Sequence, residues 1–329
     1  MSGNDQRDAI RSCYASWSES YFDDYLGSAA DYWPVHVELI DRILTANNAV
    51  TILDVGCGPA SMIRLLESKD REFYGFDLTP EMIMEAQKVG TKYDIPPERF
   101  WIGDSVDANS YWPNISSSPK SYDAIICSGV LPHLEREEVD TVLMNMRNAV
   151  KMGGIVIVEA RNELFSLFTL NRYSRDFFFN QLINFNNLPT DAAAKLKRLD
   201  EHFRTDLPPL RIGTDKSKGY DEVTSNAHNP LTLKPLFESV GFRNVSLDFF
   251  HFHRLPPMFE PELPNTFREL SKAMEDPKDW RGHFMASAFL LSGMRKSSNL
   301  PVLSITIRGA IQSRSKSFIG GAVSAENRK

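Results

Sequence analysis

The stretch ILDVGCGPAS (52–61) passes from an apolar run into a bare turn, with an acid at Asp54 and glycines at Gly56 and Gly58 on either side of Cys57. An apolar run that ends in glycines and continues as an amphipathic segment reads as a strand feeding a helix. In a parallel sheet, such a turn sets exposed main chain and a helix N-terminus at the carboxyl edge of the strands, where ligands bind. Glycine permits the turn and lets a ligand approach the backbone. Because G-x-G also serves purely structural turns, its neighbours decide the reading. Asp54 precedes the first glycine by two residues, and the next apolar run, EFYGFDL (72–78), ends in Asp77, 23 residues after Asp54. A carboxylate about 20 residues beyond a glycine turn bonds the hydroxyls of a ribose. An acid inside the turn would repel a pyrophosphate at the same helix terminus. The pattern therefore favours a cationic, non-phosphorylated nucleoside over a nicotinamide dinucleotide.

The surrounding periodicity agrees with a parallel sheet. Short apolar runs over 50–55, 72–77, 100–103, 122–128 and 155–160 alternate with helical patterns over 61–68, 80–89 and 136–149, and Gly153 and Gly154 mark a turn before the fifth strand. The expected fold class is α/β, a Rossmann-like, mostly parallel sheet with helices on both faces. Residues 1–47 have helical spacing and many aromatics and are expected to form two or three leading lid helices. The alternation is interrupted over 161–230, read as a helical cap insertion, and resumes over 231–296 with a helix closed by Gly241 and two further strands. The core is thus 48–160 together with 231–296. Residues 297–329 are expected to form a tail or an added edge strand.

Composition narrows the function classes. The chain has 329 residues, 42% of them hydrophobic and 24% charged, enough for a large core. The net charge of −6 gives no general attraction for nucleic acid. No run approaches the roughly 18 apolar residues of a membrane span, and the polar first residues carry no apolar leader, so the expectation is a cytoplasmic protein. Three dispersed cysteines, Cys13, Cys57 and Cys127, are expected as free thiols.

In order along the chain, LDVGCGPA, GFDLTPEMI, WIGDS, YDAIICSGVLPHL and MRNAVKMGGIVIVEA resemble the motifs of the class I S-adenosylmethionine-dependent methyltransferases. The late GF…V and FMASAFLLSG stretches resemble that family's sixth and seventh strands. The resemblance implies a seven-stranded fold, S-adenosylmethionine as cofactor and methyl transfer as activity. It also implies that Gly56 and Gly58 pack on the cofactor while Asp54 reaches its amino end, directly or through water. Asp77 would hold the ribose hydroxyls, Leu78 would lie on the adenine, Asp104 would accept from its exocyclic amine, the Ser105 backbone would complete that edge, and Ser128 would sit under the methionine portion. Tyr14 and Tyr21, on one helical face with Trp17, are where relatives fold a segment over the cofactor; for Trp17, packing is the expected role.

For the chemistry, in-line displacement needs alignment, and a base when the acceptor is a hydroxyl. His133, after the fourth strand, is the expected general base, with Glu159 and Tyr173 as further catalytic candidates. Arg161, Arg172 and Arg175 are expected to contact the acceptor, and a carboxylate or phosphate on a small-molecule acceptor would suit them. His251 and His253 lack a companion ligand set and are read as structural, so no metal is expected. Two alternatives are an RNA or protein methyltransferase, which would want a basic face, and a catalytically silent S-adenosylmethionine-binding partner protein. The sequence is silent on oligomeric state.

Overall fold

The computed structural model describes residues 3–27, 34–66, 68, 70–116 and 118–296. Three leading helices, α1 (Gly3–Ala15), α2 (Tyr21–Tyr25) and α3 (Val35–Ala46), precede β1 (Thr51–Val55). Then follow α4 (Ser61–Leu66), β2 (Glu72–Asp77), α5 (Pro80–Lys92), β3 (Phe100–Ile102), β4 (Tyr122–Cys127), α6 (Arg136–Ala149) and β5 (Val150–Arg161). Beyond β5 come the short α7 (Arg172–Asp176) and α8 (Thr190–Leu196), and then α9 (Pro230–Val240), β6 (Phe242–Phe252), α10 (Pro264–Lys272), α11 (Gly282–Met285) and β7 (Ala286–Arg295).

The strands form one seven-stranded sheet in the order β3-β2-β1-β4-β5-β7-β6. β1 to β5 pair in parallel, and β7 runs antiparallel between β5 and β6. The central strands are apolar almost throughout because both faces are covered. Leu53, Ile125, Val156 and Val158 enter a core with α6 and α9. Their neighbours Ile52, Ala124, Ile126 and Ile157 enter a second core with α3, α4 and α5. Strand alternation assigns each residue to one layer.

The structure amends the sequence reading at three places. Gly153 and Gly154 do not precede the fifth strand but lie inside it: β5 begins at Val150, and its pairing with β4 shifts register between Tyr122 and Ala124, an irregularity that takes up the glycines. The segment after β5, expected as a helical cap insertion, is built from short helices and turns of three to seven residues. It returns to the sheet edge where His228 N–H donates to Arg161 O at 2.8 Å. Helix α10, between β6 and β7, is an addition that the sequence reading lacked; it buries Phe267. The tail or edge strand expected over 297–329 lies outside the described residues.

Candidate active site

The carboxyl ends of β1, β2, β4 and β5 open into a cavity of about 1500 Å³, walled by α1, α2 and the segment after β5. At its floor the backbone rises from β1 through Gly56 (φ +71°) and Gly58 (φ +53°). A side chain at Gly56 would strike Val130, whereas one at Gly58 would meet nothing within 4 Å, so the second glycine presents open main chain to the cavity.

Two carboxylates share this floor. Asp77 accepts from Gly58 N–H at 3.0 Å through Oδ2 and from Thr79 N–H at 2.8 Å through Oδ1, which fixes the turn and leaves further lone pairs on both oxygens. Asp54 is 2% exposed, and its Oδ2 has no hydrogen-bond partner. Burial first, and then the neighbouring Asp77, push its carboxyl from 3.8 up to about 8. Burial likewise raises Asp77, against the pull of its backbone donors. A buried acceptor without a donor costs stability, so this corner is suited to an ammonium group.

The adenine-side acid of the sequence reading, Asp104, also lines the cavity, but α1 reaches it: Arg7 Nε pairs with Asp104 Oδ2, while Arg7 Nη2 donates to Glu138 Oε1 at 2.7 Å. Leu78 packs with Ile10 and Cys13 of α1. The Ser105 carbonyl accepts from Tyr111 Oη and Asn145 Nδ2 and so braces the loop.

At the opposite edge, Ser128, just past β4, donates its hydroxyl to Glu159 near the end of β5. His133, 9% exposed, stands in the wall between α1 and the returning segment. Its Nδ1 is 2.7 Å from the Thr224 carbonyl, which can only accept; Nδ1 therefore carries the proton, and Nε2 accepts from Tyr14 Oη at 2.7 Å. Burial holds the ring neutral and lowers its pKa to about 4. The Tyr21 hydroxyl reaches over Gly129, 3.9 Å from where a side chain there would begin, and its ring stacks on Tyr25. Tyr14, Trp17, Tyr21 and Tyr25 form one aromatic group, so the Trp17 ring packs as expected.

The three arginines proposed from sequence all line the cavity but differ in their partners. Arg172 donates to Asp221 at 3.0 Å and lies over the Tyr173 ring; Arg175 is held by Asp200. Arg161 donates to Ser225 Oγ at 2.9 Å and lies over the Tyr220 ring. His251 also lines the cavity, edge-on to His36, whereas His253 packs on Phe165; the positive φ of His251 breaks the alternation that would have put the pair on one face.

Sequence reasoning missed Arg7, Tyr25, His36, Tyr220, Thr224 and Ser225. Arg7 and Tyr25 carried a signal, since each continues the helical spacing of Tyr14 or Tyr21. His36 stands on α3 and packs on β6, and the other three come together only through the long segment after β5.

The sequence matches no curated protein. Residues 52–154 match the family model described as a methyltransferase domain. Among solved structures, the chain is similar to DhpI in complex with SAH (TM-score 0.51, 14% identity), covering 90% of this chain and 100% of that one. It is also similar to an O-methyltransferase family protein from Burkholderia thailandensis (TM-score 0.49, 13% identity, 89% of this chain) and spans 64% of that protein's length. A third, an S-adenosylmethionine-dependent methyltransferase from Clostridium acetobutylicum, aligns with a TM-score of 0.49 at 14% identity over 85% of this chain and 98% of that one. The likeness to DhpI establishes a common fold. The domain match lies across the glycine turn, the two strand-end acids and β4, so residues 52–154 form a methyltransferase domain on this fold, with S-adenosylmethionine as the cofactor.

Proposed function

We propose that this methyltransferase acts on an oxygen atom of a small molecule held in the upper part of the cavity. The observation that carries the reading is the cavity wall itself. Among the described residues it contains nine acidic side chains against four arginines and no lysine, and three of those arginines are paired with carboxylates. A wall of that charge is unsuited to a phosphate backbone, whose binding rests on neutralisation by Lys and Arg. About 1500 Å³ has room for a nucleoside cofactor together with a metabolite-sized acceptor.

The residues fit the cofactor. The unpartnered Asp54 Oδ2 would take its ammonium group, Asp77 its ribose hydroxyls, and the open main chain at Gly58 its sugar edge, with Leu78 and Asp104 toward the base. When bound, S-adenosylmethionine supplies a sulfonium-activated methyl group open to in-line displacement. The chain's own work is alignment, exclusion of water and removal of one proton. Glu159 is the proton acceptor in this reading, with the Ser128 hydroxyl fixing its carboxylate. His133 lines the cavity, but its Nε2 is taken up by the Tyr14 hydroxyl and its Nδ1 by the Thr224 carbonyl, which makes the His133–Tyr14 pair a positioning element for α1.

The test is a label experiment. Protein and methyl-labelled S-adenosylmethionine are incubated with hydroxylated metabolite-sized compounds, total RNA and a protein extract in one mixture. Label in the low-molecular-mass fraction supports the reading, and label in RNA or protein overturns it. With an acceptor in hand, Glu159→Gln should slow single-turnover transfer by about 10² to 10⁴ while cofactor affinity holds.

A further inference from the structure

Of the four arginines in the cavity wall, Arg161 stands apart. Arg7 meets Asp104 and Glu138, Arg172 meets Asp221, and Arg175 meets Asp200. Among the described residues, Arg161 has no carboxylate partner. It is the last residue of β5 and half-buried, and its guanidinium spends one N–H on Ser225 Oγ at 2.9 Å while lying 4.9 Å from the centre of the Tyr220 ring. Five N–H donors in a fixed fork leave most of the group's bonding capacity unspent.

The surroundings hold this cation in place, because Tyr220, whose ring it lies over, is itself buried. Arg211 also lies over Tyr220, 4.0 Å from the ring centre, and donates to Tyr25 Oη, which pins the ring. A cation in a partly desolvated wall without a counter-ion is costly, and a bound anion relieves that cost. Glu159 lies two residues earlier and therefore on the same side of the strand. It does not pair with Arg161 and is engaged instead by Ser128. The end of β5 thus presents an acceptor for a hydroxyl proton and, beside it, a free fork of donors.

Resting on the reading that the methyl acceptor enters this cavity, we propose that Arg161, with Ser225 and the Tyr220 ring, binds a carboxylate or phosphate group of that acceptor. The substrate class is then a hydroxy compound with an anionic oxygen group, and Arg161 selects for it.

Calorimetric titration of the SAH-saturated protein with benzoate, and separately with phenyl phosphate, tests this. Wild type should bind at least one saturably at one site, and the tighter of the two identifies the anion. Arg161→Gln should weaken that binding by about 10- to 100-fold, while Arg42→Gln, an exposed change on α3, should leave it within twofold of wild type. SAH and 5′-methylthioadenosine, which lacks the amino-acid carboxylate, should each bind Arg161→Gln as they bind wild type; this also reports that the variant is folded. Equal anion binding by wild type and Arg161→Gln overturns the proposal. So does a selective loss of SAH over 5′-methylthioadenosine, which would assign Arg161 to the cofactor. Wild type that binds SAH but neither anion overturns this proposal alone; wild type that binds neither SAH nor anion overturns the cofactor reading with it.

Discussion

Cofactor binding should release a proton, and Asp54 is its source. The carboxyl is buried beside Asp77 and sits at about 8, so at pH 7 roughly nine-tenths of the ligand-free protein holds Asp54 protonated. An ammonium group bonded to Oδ2 requires the carboxylate. Binding at pH 7 therefore expels about 0.9 proton, and affinity for SAH should rise about tenfold from pH 6 to pH 7, because linkage gives close to one decade per unit below the free pKa. The ligand-free fold shows the reverse sign. A carboxyl raised in the folded state contributes its stability fully below the unfolded value near 4 and loses it as pH climbs through 8. Titration calorimetry at pH 7 in phosphate and in Tris, whose ionisation heats differ, counts the protons directly. Asp54→Asn should bind more weakly, with little pH dependence and no released proton. Wild-type affinity that is flat or falls between pH 6 and 7, or an unchanged proton count in Asp54→Asn, would refute the assignment.

Gly56→Ala places a methyl group at φ +71° and 2.3 Å from Val130 Cγ2, so it should cost about 1 to 3 kcal/mol and lower Tm by a few degrees; an unchanged Tm would mean that the turn is not strained as described. Tyr14→Phe removes the donor to His133 Nε2 and should lower single-turnover transfer by less than about tenfold if Glu159 takes the proton. A loss of 10² or more would instead put Tyr14 and His133 in the proton path. Amide hydrogen exchange over Gly3–Ala15 should slow when SAH is added, and equal exchange with and without ligand would leave α1 a packing role only.

The floor of the site was legible because parallel strands converge: acids that close successive strands, such as Asp54 and Asp77, must lie side by side at one edge. Helix α6 was read to its end residues from its periodicity, and the structure adds a reciprocal Glu135–Glu138 capping box at its start. The opposite edge of the cavity carries no such periodic signal. Thr224 meets His133 across 91 positions and Arg7 meets Asp104 across 97, and nothing in local spacing encodes a contact made by loop closure. Arg172 and Arg175 illustrate the same limit: their charge was evident in the sequence, but Asp221 and Asp200, which neutralise them, lie 49 and 25 positions away. β5 was read too short because Gly153 and Gly154 imitate a turn where the strand only shifts register.

Helix α1 joins the two halves of the site. Arg7 and Tyr14 are two turns apart on one face; the first grips Asp104 and Glu138, and the second grips His133. The Arg7 pairs are about a quarter exposed, which screens them, and a neutral hydrogen bond contributes about 0.5 to 1.5 kcal/mol. A helix of 13 residues has little stability of its own. These bonds are therefore weak enough for a ligand to replace and specific enough to restore the same seat. Arg7 at Asp104 and Tyr14 at His133, whose ring meets Tyr220 edge-on, are thus anchored by one element.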